Sequence, residues 1–182
     1  MAAAAPATSA HGAFAFSDLS GFTAFTAERG DDAAIGLVET FRSHMSEGLP
    51  PGARIVNRIG DGLLVHFAEA STAVSSLLAL THRCAEVSTP EVPLWIRTGV
   101  HVGTARLLGD DLIGHDVNVA ARIGELAGAT EVLVSESARA QQTDDSVRFD
   151  ALGPVFVKGL TEALRVYRAS TVEATQPAPA AT

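Results

Sequence analysis

The sequence predicts an α+β fold in one domain, an antiparallel sheet with helices packed on it. Three observations predict it. Short β-rich runs alternate with longer stretches of helical periodicity. The runs fall in the order β, α, β, β, α, β, with a further α and β behind them. The chain has 182 residues, 47% of them hydrophobic, which is enough to bury one substantial core and is the size of one ordinary domain.

Each element follows from its residues. Gly12 to Ser17 is a short apolar strand run ending at Asp18. A helix is expected from about Asp31 to Met45, where Ile35, Leu37, Val38 and Phe41 fall mostly on one side. Arg54 to Arg58 and Leu63 to Phe67 are β-rich runs joined by Ile59-Gly60-Asp61-Gly62, which reads as a hairpin. Ala70 to Val87 is helical and Leu94 to Val102 is a strand. Asp116 to Leu126 is a helix, Glu131 to Val134 a short strand, and a closing strand starts near Ala163 and runs through Val166 and Tyr167. This order matches a ferredoxin-like βαββαβ core with a C-terminal αβ extension, its four core strands in one antiparallel sheet with both helices on one face. Residues 1–11 read as a flexible lead-in, 12–170 as the folded domain and 171–182 as a flexible tail, because the two ends are Ala- and Pro-rich and supply no packed face.

Composition excludes several functions. A net charge of -8 with only 13 Lys and Arg argues against a surface that neutralises nucleic-acid phosphates. Cys84 is the single cysteine, so the chain can form neither an internal disulfide nor a cysteine metal cage. The most apolar stretch, Ala70 to Leu80, is interrupted by Ser and Thr and closed by His82 and Arg83, so no membrane span is expected. The Ala-rich start, Met1 to Ala10, carries no Lys or Arg, contains Pro6 and lacks the basic region of a secretory signal, so a cytoplasmic location is expected.

Three places could carry chemistry. Asp18 ends the first strand just before Leu19-Ser20-Gly21-Phe22-Thr23, a polar-glycine turn leading towards a helix, whose unpaired amides suit phosphate oxygens. Read alone, Asp18 is an ordinary helix cap. Asp61 sits at the hairpin tip, where an Asp-Gly pair is also an ordinary turn. The proposed topology makes these strand ends neighbours, so the carboxylates can converge and would repel without a cation between them. Hard oxygen donors that leave room for water and phosphates suit Mg²⁺ or Mn²⁺, and two such ions serve phosphoryl and nucleotidyl transfer. Asn118 and Arg122 lie four apart on one helix face, as an amide and a guanidinium for a sugar and a phosphorus, or as a surface helix with Arg122 paired to Glu125. The six histidines, His11, His44, His66, His82, His101 and His115, show no pairing at metal-ligand spacing.

Taken in order, Phe16-Ser17-Asp18-Leu19-Ser20-Gly21-Phe22-Thr23, Ile59-Gly60-Asp61-Gly62 and Asp111-Leu112-Ile113-Gly114-His115-Asp116-Val117-Asn118-Val119-Ala120-Ala121-Arg122 resemble the three main motifs of class III adenylate and guanylate cyclases. Leu152 to Leu160 and Arg165-Val166-Tyr167 are similar to the family's C-terminal strands, so the resemblance runs from about Ala13 to Tyr167. It implies a class III cyclase homology domain that closes a nucleoside triphosphate to a 3′,5′-cyclic monophosphate and pyrophosphate. Asp18 and Asp61 would bind two Mg²⁺ or Mn²⁺ per active site, the main chain of Leu19, Ser20, Gly21, Phe22 and Thr23 would cradle the terminal phosphates, and Lys158 would reach the triphosphate. Asn118 would orient the ribose and Arg122 would stabilise the transition state. A homodimer with the site between subunits is implied.

Base recognition departs from the family pattern. Asn57 stands where adenylate cyclases generally present Lys, and Asp111 falls on the partner position, usually Asp or Thr; guanylate cyclases typically carry Glu and Cys there. ATP is favoured over GTP, because Asp111 can accept from the adenine amino group while Asn57 donates to a ring nitrogen. The alternatives are relaxed or GTP specificity and a catalytically silent nucleotide-binding domain. The hairpin Arg58-Ile59-Gly60-Asp61-Gly62 differs from the signature of cyclic dinucleotide synthases, which share this scaffold.

Overall fold

The computed structural model describes residues 9–156 and 162–172. Its elements are β1 (Ser9–Leu19), α1 (Phe22–Arg29), α2 (Asp31–Gly48), β2 (Arg54–Ile59), β3 (Gly62–Phe67), α3 (Ala70–Val87), β4 (Ile96–Leu108), β5 (Asp111–Ile113), α4 (His115–Leu126), β6 (Val132–Ser135), α5 (Glu136–Arg139), β7 (Val147–Val155) and β8 (Leu164–Thr171). One sheet holds all strands in the order β2-β3-β1-β4-β6-β8-β7, with β5 paired to β4. The run β2-β3-β1-β4 is antiparallel throughout and is the expected ferredoxin-like core; β6 then joins β4 in parallel.

Burial explains the layers. Alternate residues of a strand face opposite ways, so Ala13, Ala15 and Leu19 of β1 pack with Leu37, Phe41 and Met45 of α2 and with Leu77 and Leu80 of α3 on one face. Phe14 of β1 points the other way and packs with Leu64, Ala105, Leu112 and Ala120 of α4. The core helices α2 and α3 therefore share a face as expected, and α4 of the extension covers the opposite one. Glycine makes that second layer tight: a Cβ on Gly99 of β4 would come 2.1 Å from the backbone nitrogen of Gly124 in α4.

Several elements differ from their expected extent. β1 begins at Ser9 and β4 reaches Leu108, because the two pair residue by residue from Ser9 opposite Arg106 to Leu19 opposite Ile96. A separate helix, α1, precedes α2, and Gly30 at φ +82 breaks the two apart. β5 and α5 are elements the sequence does not distinguish, and β7 (Val147–Val155) begins earlier than the Leu152 to Leu160 stretch likened to a C-terminal strand. β5 arises because Gly109, at φ +62, turns the chain so that Leu108 pairs with Asp111.

Candidate active site

Asp18 is next to last in β1 and lies directly opposite Arg97 of β4 in the strand register. Both side chains point to the α4 face and form a bidentate ion pair. Arg97 Nε donates to Asp18 Oδ1, and Nη2 donates to Oδ2 at 3.0 Å. The Asp18 side chain is only 13% exposed. Burial pushes its carboxyl above the usual carboxylate range, Arg97 opposes that shift, and the negative charges of Asp61 and Glu125 add to it. The Arg97 guanidinium in turn is held more firmly protonated, first through its hydrogen bond to Asp18.

Asp61 reaches the same end of the sheet from another element. Ile59 pairs with Gly62, which leaves Gly60 and Asp61 as the two turn residues, with Gly60 at φ +58. Because Ser17 pairs with Leu63, the end of β1 runs alongside this turn. The two carboxylates expected to converge therefore stand in each other's field. Beyond them the chain enters α1. Gly21, at φ +79, turns the backbone, and Phe25 N–H donates to Gly21 O at 3.0 Å to start the helix. The amides of the first turn are left without helical partners and open to an anion. Ser20 is an exception within the expected cradle, since its N–H already donates to Trp95 O at 2.7 Å.

This donor set fits a hard divalent cation. The Asp18 and Asp61 carboxylates, both partly buried, lie in each other's field, and the Arg97 guanidinium lies in the field of both. Among the described residues no group of three or more His, Cys, Asp or Glu gathers to enclose an ion. A pair of carboxylates that leaves the rest of the coordination sphere to water and phosphate oxygens suits Mg²⁺ or Mn²⁺.

Asn57 and Asp111 also meet. Asn57 Nδ2 donates to Asp111 Oδ2 at 2.9 Å, bringing β2 and β5 together. The amide is oriented by its own neighbour, since Arg58 N–H donates to Asn57 Oδ1 at 2.7 Å. Leu112 N–H donates to Asp111 Oδ1 at 2.8 Å. A register shift between Ile55 and Asn57 sets this stretch apart from a regular strand.

Asn118 and Arg122 lie on α4, and no hydrogen bond or ion pair among the described residues joins either to the two aspartates. Asn118 is exposed. Arg122 Nη1 donates to both carboxylate oxygens of Glu125, at 2.7 and 2.8 Å, the pairing that the bland reading of this helix anticipated. Lys158 lies outside the described residues. Arg97 is the residue that sequence reasoning missed; a lone arginine inside the apolar run Leu94 to Val102 was the available signal.

With this geometry in place, comparison with known proteins defines the class. Residues 8–170 match the model of the adenylate and guanylate cyclase catalytic domain, and the chain belongs to that family. An adenylate cyclase of Streptomyces coelicolor is 33% identical over 124 residues, covering 67% of this chain and 32% of the relative. A putative adenylate cyclase 3 of Rhizobium meliloti is 38% identical over 87 residues, 46% of this chain and 15% of the relative. The chain thus spans a third or less of the length of these two curated relatives. Among solved structures, the adenylyl cyclase CyaB from P. aeruginosa superposes with a TM-score of 0.77 at 24% identity, covering 93% of this chain and 99% of that one. The guanylate cyclase domain of RhGC from Catenaria anguillulae in complex with GTP gives 0.74 at 22% identity, over 91% and 99%. These likenesses establish the shared fold. No helix among the described residues is long and apolar enough to cross a membrane.

Proposed function

We propose that this domain converts ATP to 3′,5′-cyclic AMP and pyrophosphate at a site shared between two copies of the chain, in the cytoplasm. The observation that carries the reading is the convergence of Asp18 and Asp61 at one end of the sheet, beside the open first turn of α1. When bound there, Mg²⁺ or Mn²⁺ supplies charge for the phosphates and acidity for the attacking ribose 3′-hydroxyl. The chain's own groups do the rest. Asp18 and Asp61 hold the cations, and the amides of Gly21, Phe22 and Thr23 take terminal phosphate oxygens. Lys158 adds a further charge to the triphosphate. A second copy contributes Asn118 to the ribose and Arg122 to the negative charge that grows at the α-phosphorus. Arg122 must leave Glu125 to do so, which its exposed position on α4 permits.

The base preference follows from the Asn57–Asp111 hydrogen bond. With Asn57 Oδ1 held by the Arg58 N–H, the second Nδ2 hydrogen and the remaining Asp111 lone pairs are left as donor and acceptor for a base. Adenine offers a ring acceptor and an amino donor to match. Guanine presents the reverse order and requires the amide to turn over, at the loss of both hydrogen bonds. ATP is therefore the substrate and GTP the poorer one.

One observation favours a silent nucleotide-binding domain instead: both key charges are satisfied internally, Asp18 by Arg97 and Arg122 by Glu125. Product assays from ATP and from GTP, each with Mn²⁺ and Mg²⁺ and beside an Asp61→Ala control, separate the readings. Cyclic AMP that vanishes in the control supports the proposal. Cyclic GMP in its place overturns the base assignment, and no cyclic product supports the silent domain.

A further inference from the structure

We propose that Arg42 of α2 is a positioning residue for Asp61, its guanidinium holding the β2–β3 turn at the geometry in which the Asp61 carboxylate meets a divalent cation. The inference rests on the reading of Asp18 and Asp61 as cation ligands.

Arg42 follows Phe41, which is fully buried under the sheet, yet its own side chain turns toward the hairpin. Nη2 donates to Gly60 O at 2.8 Å. That carbonyl belongs to the peptide unit that continues into the Asp61 nitrogen, and a peptide unit is rigid. Fixing the Gly60 carbonyl therefore fixes the plane from which the Asp61 Cα and its carboxylate project.

The far side of the turn is held by the Ile59–Gly62 pairing and by the Phe16 ring packed against Gly62, but the Gly60 side has less to fix it. Gly60 and Gly62 flank Asp61, and glycine is the least restrained backbone. Beyond Gly60 and its two chain neighbours, no atom lies within 4 Å of the place where a Gly60 side chain would begin. On that side the turn opens into a cleft of about 530 Å³ between α1 and α2, lined by Phe22, Ala34, Val38 and Arg42 itself. Among the described residues no other side chain hydrogen-bonds to the backbone of Gly60 or Asp61.

Arg42 is also kept at a cost. Its Nε is buried with no acceptor, an unmet donor of a kind that folded chains seldom retain. An apolar side chain at this place on α2 would remove that penalty. What it would lose is the bond to Gly60.

The test is direct Mn²⁺ binding to the full chain without nucleotide, followed by electron paramagnetic resonance, for wild type, Arg42→Met, Arg42→Gln, Arg42→Lys and Asp61→Asn. Thermal melts of each run alongside. Both Arg42→Met and Arg42→Gln are expected to weaken Mn²⁺ binding by about ten-fold, the scale on which an outer partner of a metal ligand matters. Either variant suffices if the other does not fold. Arg42→Lys, which can still donate to Gly60 O, is expected to recover most of the affinity, whereas a purely structural role would move the melting temperature and leave Mn²⁺ affinity alone. Wild-type affinity in a folded Arg42→Met or Arg42→Gln, with affinity lost in Asp61→Asn, overturns the positioning role by itself. Wild-type affinity in Asp61→Asn instead overturns the reading of Asp61 as a ligand, and the role of Arg42 with it.

Discussion

Asp18 carries a conflict that defines its chemistry. Burial favours the neutral carboxyl, while Arg97, in register across two adjacent strands, favours the charged one. The net effect leaves the carboxyl above its ordinary range, so the folded chain holds this proton more tightly than the unfolded chain does. The contribution of such a group to stability is present at acid pH and is lost as pH rises through the folded pKa. Replacing Arg97 by Met removes the opposing influence. Asp18 is then expected to titrate at still higher pH, followed by its carboxyl ¹³C shift, and the pH interval over which stability is lost widens upward. An unchanged Asp18 titration in Arg97→Met would mean that the ion pair does not govern this carboxylate.

At the scale of elements, the sheet positions the site and α4 is locked to it by small residues. Gly99→Ala would set a methyl group against the backbone of Gly124, which neither helix nor strand can yield cheaply. A loss of about 1–3 kcal/mol is expected from overpacking of this kind, measured by denaturant unfolding. His101 of β4 makes the other junction. Its Nδ1 lies 2.9 Å from Ser135 Oγ and 3.3 Å from Ser137 Oγ, and its Nε2 lies 3.6 Å from Asp116 Oδ1 at the start of α4. Burial lowers the His101 pKa below the ordinary 6.5, Asp116 opposes that shift, and His115 adds to it. The folded chain therefore resists protonation here, and stability is lost as pH falls from about 6.5 toward the folded pKa. His66, also lowered by burial, contributes in the same direction. His101→Gln is expected to flatten part of this acid-side loss in melts between pH 7 and 5, and an unaltered pH dependence would contradict the assignment.

The same elements explain what the sequence alone could say. The hairpin was legible because two β-rich runs flank Gly60-Asp61-Gly62, and α3 because its apolar periodicity runs unbroken from Ala70 to Val87. The convergence of Asp18 with Asp61 was legible once the core topology was accepted. Arg97 was not, because its meaning lies in a strand register that joins residues 79 apart. The small apolar residues Val119, Ala120 and Ala121 suit close packing of α4, but nothing in them says which face of the sheet it covers. The commitment of the Ser20 amide to Trp95 likewise depends on a contact between distant segments.

For the whole molecule, the separation of roles is the decisive feature. Asp18 and Asp61 stand at one sheet end, while among the described residues Asn118 and Arg122 of α4 make no hydrogen bond or ion pair to them; in the proposed function the α4 face of a second copy completes the site. Specific activity should accordingly rise with protein concentration across the dimerisation range, as mass action requires. The most direct test of the shared site is complementation. Asp61→Asn and Arg122→Ala chains, each inactive alone, are co-expressed in equal amounts and assayed for cyclic AMP from ATP with Mn²⁺. Random pairing makes half of the dimers mixed, each with one intact site, so about a quarter of wild-type activity is the result predicted. A mixture as inactive as its two parents, with mixed dimers shown to be present, would contradict the account.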